Sequence, residues 1–98
     1  MTYELVIIGG GNMGAALLGG LLQTGTVAPD GVAVVELVAA RRAQLAESFA
    51  GVTITDIVPP CSAAVLAVKP YDIAGVAGEA AAAGATRVLS IAAGVTID

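Results

Sequence analysis

The feature that most constrains this chain is an apolar, β-branched run that ends in glycines: Tyr3 to Gly14 reads Tyr-Glu-Leu-Val-Ile-Ile-Gly-Gly-Gly-Asn-Met-Gly. A short run of this kind suits a buried strand, and the glycines direct a tight turn straight after it. Gly9, Gly11 and Gly14 stand in a G-x-G-x-x-G spacing. In that spacing the first glycine lets the chain turn, the second lets backbone approach a pyrophosphate, and the third lets helix and strand pack closely. A helix starting near Asn12 aims its unpaired N–H groups and the positive end of its dipole at the turn, so phosphates need no lysine or arginine there. The turn contains none.

Taken alone, the glycines also fit a purely structural turn. Their sequence context favours a ligand: Glu36 closes a second apolar run 22 residues after Gly14, where an acid that accepts ribose hydroxyls is expected, roughly 20 residues on. Gly9, Gly11, Asn12, Met13, Gly14 and Glu36 are therefore candidate cofactor-binding residues, the cofactor being a dinucleotide. The signals for and against a 2′-phosphate on its ribose conflict. A carboxylate at Glu36 repels a 2′-phosphate, whereas Arg41 and Arg42, a helical turn later, would attract one. The arginines also read as an exposed helix face, and Glu36 as a solvated strand end.

Composition excludes other classes. Hydrophobic residues make up 57% and charged residues 12% of the 98 residues, which suits strands buried on both faces. The stretch from Leu5 to Pro29 has no charged residue, but seven glycines interrupt it, a poor pattern for a spanning helix. No basic segment precedes the first apolar run, so a secretory signal is not expected and the chain reads as cytoplasmic. With a net charge of −4 and four basic residues, there is no basic patch for nucleic acid. Cys61 is the only cysteine and histidine is absent, which rules out an internal disulfide, a Cys/His zinc site and a histidine-activated nucleophile. Cys61 is expected to be a small core residue.

The periodicity predicts alternating strands and helices. Met13, Ala16, Leu17, Gly20 and Leu21 mark the buried face of a first helix that stops at Gly25, and Gly19 and Gly20 suggest close packing. Pro29, Asp30 and Gly31 form a loop. Val32 to Val35 is a second strand, Ala39 to Phe49 a helix marked by Arg42, Leu45, Ala46 and Phe49 with Gly51 as its stop, and Val52 to Thr55 a third strand. After Pro59 and Pro60, Ala63 to Val68 is a fourth strand. Asp72 caps a third helix, with Ile73, Val76, Ala77, Ala80 and Ala81 buried before Gly84, and Arg87 to Ile91 is a fifth strand. This order predicts a single three-layer αβα domain over residues 1–98: a doubly wound, Rossmann-type parallel sheet of about five strands ordered 3-2-1-4-5. Its ligand crevice would lie at the carboxyl ends of the first and fourth strands, beside Val68, Lys69 and Pro70.

Three ordered motifs carry a family resemblance. Ile-Gly-Gly-Gly-Asn-Met-Gly-Ala-Ala-Leu-Leu-Gly-Gly-Leu-Leu (Ile8 to Leu22), Ala-Val-Lys-Pro (Ala67 to Pro70) and Ser-Ile-Ala-Ala-Gly-Val-Thr-Ile (Ser90 to Ile97) resemble the amino-terminal, dinucleotide-binding part of pyrroline-5-carboxylate reductase. The resemblance implies hydride transfer from NADH or NADPH to the imine of 1-pyrroline-5-carboxylate, giving proline. It implies that Gly9, Gly11, Asn12, Met13 and Gly14 hold the pyrophosphate, that Val68, Lys69 and Pro70 line the nicotinamide ribose and ring, and that Ala92, Ala93 and Gly94 border nicotinamide and substrate. It also implies a homo-oligomer, because members of the family continue into a helical domain that dimerises and binds the substrate carboxylate. That domain is expected to be absent from this chain, so no catalytic residue is assigned. Lys69 also fits a solvated strand end, Asp72 an ordinary cap, and Tyr3 and Tyr71 plain packing. Two other functions remain open: a nucleotide-binding module without catalysis, and a related short-substrate dehydrogenase of 3-hydroxyacid or deazaflavin-dependent type.

Overall fold

The computed structural model describes residues 2–9, 11–67, 78 and 81–90. Five strands form one sheet: β1 (Tyr3–Ile8), β2 (Val32–Val35), β3 (Thr53–Thr55), β4 (Cys61–Leu66) and β5 (Arg87–Ser90). Their spatial order is β3-β2-β1-β4-β5 and every pairing is parallel, as the sequence predicts. Two helices, α1 (Asn12–Gln23) and α2 (Ala39–Ser48), supply the crossovers from β1 to β2 and from β2 to β3.

The sheet holds together because its central strands bury side chains on both faces. All four residues of β2 are buried, and so are Val6, Ile7 and Ile8 of β1. Alternation along the strands divides them between two cores. Val6, Ile8, Ala33, Val35, Cys61, Ala64 and Leu66 pack on one face, with Ala83 and Ala85 against them. Ile7, Val32 and Val34 pack on the other, under Leu18 of α1 and Leu45 of α2. Nothing polar or charged is buried among the described residues, so backbone ladders and apolar contacts carry this interior. Cys61 belongs to that core, and burial pushes its thiol up from the ordinary value.

Two local readings need correction. First, β4 starts at Cys61 rather than Ala63 and ends at Leu66 rather than Val68. The prolines do not delay it, because a proline lacks a donor but keeps its acceptor: the Pro60 carbonyl takes the Tyr3 N–H at 2.9 Å, and Tyr3 then pairs with Cys61. Second, the buried face of α1 is only partly the predicted one: Leu17 and Leu21 pack half-buried against the core as expected. Met13, Ala16 and Gly20 are exposed, while Gly14 and Leu18 are buried and Leu21 and Leu22 half-buried. The helix is apolar almost all round, so its period marks no unique stripe, and the contact is set by Gly14 at the turn. On α2 only Leu45 is buried; Arg42 and Phe49 are half-buried and Ala46 is exposed.

The remaining connections match expectation. Pro29–Gly31 forms a short 3-10 turn, and Gly25, Gly51 and Gly84 hold positive φ where helices stop. Of the third predicted helix, Gly78, Ala81 and Ala82 are helical, and the Gly84 N–H bonds to the Ala81 carbonyl at 3.0 Å; Ala81, predicted to be buried, is exposed, while Asp72, Ile73, Val76, Ala77 and Ala80 lie outside the described residues. No helix among the described residues is long and apolar enough to cross a membrane.

The revised α1 face is testable. Leu18→Ala is expected to cost about 2–5 kcal/mol by the loss of buried methylenes and the cavity left behind, whereas Ala16→Ser on the exposed side should change stability by less than about 0.5 kcal/mol. Urea denaturation of the two variants checks this, and equal losses would return the buried face to Ala16.

Candidate functional site

The glycine turn sits where strand order reverses. β1 is the start of the sheet in sequence and lies between β2 and β4, so the loop after it opens between crossovers that leave in opposite directions. Two backbone bonds fix its base: the Gly9 N–H donates to the Val35 carbonyl at 2.8 Å, and the Ala67 N–H donates to the Ile8 carbonyl at 2.8 Å. Gly9 has φ of 107°, a conformation in which a side chain is strained.

The other two glycines have opposite surroundings. A Cβ on Gly14 would overlap the Gly9 carbonyl oxygen and lie 3.2 Å from its carbon, with the Ala67 Cβ 3.5 Å away. Only glycine lets α1 come this close to the end of β1. Among the described residues, a Cβ on Gly11 would meet nothing within 4 Å, so none of them fills the space in front of this residue. Gly11 is also the N-cap of α1 and offers no side chain to it. The first helical bond runs from the Ala15 N–H to the Gly11 carbonyl at 2.9 Å, which puts the N–H groups of Asn12, Met13 and Gly14 ahead of the helical ladder. No acidic side chain occupies the first turn, and the Met13 side chain is exposed. Space in front of N–H donors at a helix start fits an anionic phosphate group.

Glu36 comes directly after β2 at the same edge of the sheet. Its N–H bonds to the Thr55 carbonyl at 2.9 Å, extending the β2–β3 ladder by one rung. Its carboxylate Oε2 accepts from the Val38 N–H at 2.9 Å, bracing the three-residue loop before α2. Arg42, read from sequence as part of an exposed helix face, instead turns back on this loop: its Nη1 donates to the Glu36 carbonyl at 2.8 Å and to the Leu37 carbonyl at 3.0 Å. Arg41 is also half-buried, and its Nη1 donates to the Gln44 side chain at 3.1 Å. Leu37 is 79% and Ile57 73% exposed; each stands two residues past a strand end, and those ends, Val35 and Thr55, are paired. Sequence reasoning missed both this apolar rim and the Arg42 contacts. The available signal was an arginine in the early turns of α2, where the helix dipole disfavours a cation unless something local holds it.

Gly9, Gly11, Asn12, Met13, Gly14 and Glu36 thus share the carboxyl edge of the sheet, whereas Val68, Lys69, Pro70, Ala92, Ala93 and Gly94 lie outside the described residues. A cleft of about 510 Å³ lined by Glu4, Leu5, Thr26, Val27, Ser62, Ala63, Thr86 and Arg87 opens at the opposite, amino edge. In open α/β sheets ligands bind outside the carboxyl ends of the strands, so this cleft lies at the wrong edge for a dinucleotide.

Fold and turn together define a doubly wound, Rossmann-type α/β domain. Residues 4–94 match the family model described as NADP oxidoreductase coenzyme F420-dependent, and the chain belongs to that family. It is similar to pyrroline-5-carboxylate reductase from Mycobacterium leprae (strain TN), with 37% identity over 103 residues that cover 96% of this chain and 35% of the relative. It is also similar to the solved structure of a pyrroline-5-carboxylate reductase from Coxiella burnetii, with 30% identity and a TM-score of 0.79, covering 98% of this chain and 37% of that one. The chain therefore spans little more than a third of the length of either relative.

The two glycines separate folding from binding. Gly14→Ala is expected to destabilise the domain markedly, because the added Cβ meets backbone that cannot move aside. Gly11→Val should leave thermal unfolding and the far-UV spectrum unchanged while abolishing dinucleotide binding in calorimetric titration. Unchanged affinity in folded Gly11→Val would remove the turn from the site.

Proposed function

We propose that this chain is the dinucleotide-binding part of a pyrroline-5-carboxylate reductase. The observation that carries the reading is the glycine turn, with the space before Gly11 filled by no described residue and the first N–H groups of α1 at the point where strand order reverses. The backbone of Gly9, Gly11, Asn12, Met13 and Gly14 holds the pyrophosphate, Glu36 accepts the adenosine ribose hydroxyls, and the exposed Leu37 and Ile57 offer apolar surface to the base. Val68, Lys69, Pro70, Ala92 and Ala93 face the nicotinamide end, as the family resemblance implies. When bound, the reduced cofactor supplies the hydride. The chain's own part is to orient that cofactor at the sheet edge, while a helical dimerisation and substrate domain like that of the family supplies the remaining walls and makes the protein a homo-oligomer.

NADH is the preferred cofactor in this reading, although the family description carries NADP. The loop from Glu36 to Val38 presents a carboxylate followed by two apolar residues, and Arg42 already donates to main-chain carbonyls. A 2′-phosphate there meets like charge at Glu36. NADH is expected to bind several-fold more tightly than NADPH, and Glu36→Gln should narrow the difference. Tighter NADPH binding by the unmodified chain would reverse the preference.

A second reading, hydride exchange with a deazaflavin of the kind the family description names, is separated by titration with coenzyme F420. Binding of F420 but of neither nicotinamide dinucleotide would establish it.

For the substrate, residues 1–98 tested by themselves are expected to bind reduced cofactor but not to turn over 1-pyrroline-5-carboxylate. Holding the imine over the nicotinamide supplies much of the rate, and that positioning belongs to the remaining walls of the pocket. Loss of the reduced-nicotinamide absorbance on adding this substrate, at a rate comparable with an intact reductase, would overturn the division of labour.

A further inference from the structure

The start of α2 runs against ordinary helix electrostatics. Its N-cap, Val38, gives no side-chain cap, its first turn has no acid, and Arg41 and Arg42 stand within the first four positions, where the positive end of the dipole disfavours cations. For Arg42 the structure gives the compensation. One guanidinium nitrogen donates to two consecutive carbonyls, Glu36 at 2.8 Å and Leu37 at 3.0 Å, while the Arg42 N–H makes the helical bond to the Val38 carbonyl at 3.0 Å. The same three loop residues are held from the other side by the Glu36 carboxylate on the Val38 N–H and by the Glu36 N–H on the Thr55 carbonyl.

We propose that Arg42 is a positioning residue for adenosine recognition: by pinning the Glu36 and Leu37 carbonyls it fixes the turn from which the Glu36 carboxylate meets the ribose. This rests on the dinucleotide reading above and adds to it a residue that never touches the ligand. Three residues joining a strand to a helix can present a carboxylate in several ways. Fixing their carbonyls selects one before the ligand arrives, so less freedom is lost on binding. A planar guanidinium suits the task because adjacent N–H bonds of one nitrogen reach both carbonyls, whereas the lysine ammonium is a point charge on a flexible stem.

The test uses the chain and separate halves of the cofactor. Arg42→Ala is expected to weaken NADH and adenosine 5′-monophosphate about tenfold, the scale of one lost charge-assisted bond, and to leave nicotinamide mononucleotide within about twofold. Millimolar guanidinium ion should restore part of the affinity of Arg42→Ala for adenosine 5′-monophosphate and have no such effect on the unmodified chain. Should Arg42→Ala fail to fold, Arg42→Lys, which keeps the charge, is expected to show the same selective loss of the adenosine half. Equal loss of both halves, or unchanged binding of adenosine 5′-monophosphate by a folded variant, overturns the proposal. A loss confined to ligands with a 2′-phosphate overturns it too, since Arg42 would then read the phosphate itself. If the unmodified chain binds adenosine 5′-monophosphate, nicotinamide mononucleotide and NADH not at all, the dinucleotide reading has failed and the proposal falls with it.

Discussion

The contact on which the rest of the structure depends is the one between Gly14 and the Gly9 carbonyl. Because no Cβ fits between them, α1 can lie against the end of β1. From there its Leu18 reaches the core beside Ile7, Val32 and Val34. A larger residue at position 14 would lift the helix start off the sheet and take the first N–H groups with it. Helix packing and the position of those N–H groups are thus set by one missing side chain. The positive φ of Gly9 completes the constraint, since the chain must reverse from strand to helix within the residues that separate Ile8 from Asn12.

The sheet beneath is built so that this edge can stay irregular. Its central strands are apolar on both faces, which suits parallel pairing with helices on either side, and the ladders extend past the strands at the carboxyl edge through Gly9, Glu36 and Ala67. At the amino edge the structure closes differently. Tyr3 and Thr53 share a hydroxyl hydrogen bond of 2.8 Å that links β1 to β3, two strands away, and Tyr3 is held as well by the Pro60 carbonyl. Tyr3 is therefore a packing residue, as read from sequence, and it ties down the end of the sheet remote from the glycine turn.

The features legible in the sequence are those whose signals are local. The strand runs, the glycine spacing and the strand order could be read because each rests on residue type at short range, and the doubly wound order comes from the alternation of elements. The buried side of α1 could not, since a helix with leucines and alanines on nearly every side carries no phase. Its orientation is decided by Gly14 against Gly9, a contact between backbones. The start of β4 was misplaced because two prolines suggested a break, while the partner strand needed only an acceptor from Pro60. Spacing placed the glycines and Glu36 together at the carboxyl edge, where the structure has them, but Arg42 was read as a surface charge. Its partners are main-chain carbonyls, which every residue has, so no residue type announces them.

The two helix starts described at the carboxyl edge, those of α1 and α2, show how one physical problem is met in two ways. Each helix begins without an acid in its first turn and without a side-chain cap, so each leaves positive potential facing the edge. At α1 the residues there are glycine, asparagine and methionine, with no charge, and no described residue fills the space before Gly11; that start can accept an external anion. At α2 the Glu36 carboxylate takes the Val38 N–H just before the first helical residue, and the Arg42 guanidinium takes the carbonyls of the same loop. The second start is thus satisfied from within the protein, whereas the first has no such internal partner among the described side chains. On the function proposed above, a dinucleotide laid across this edge would meet the start of α1 at β1 and the Glu36 carboxylate at β2, an arrangement that would orient it with its adenosine toward β2 and its nicotinamide toward β4.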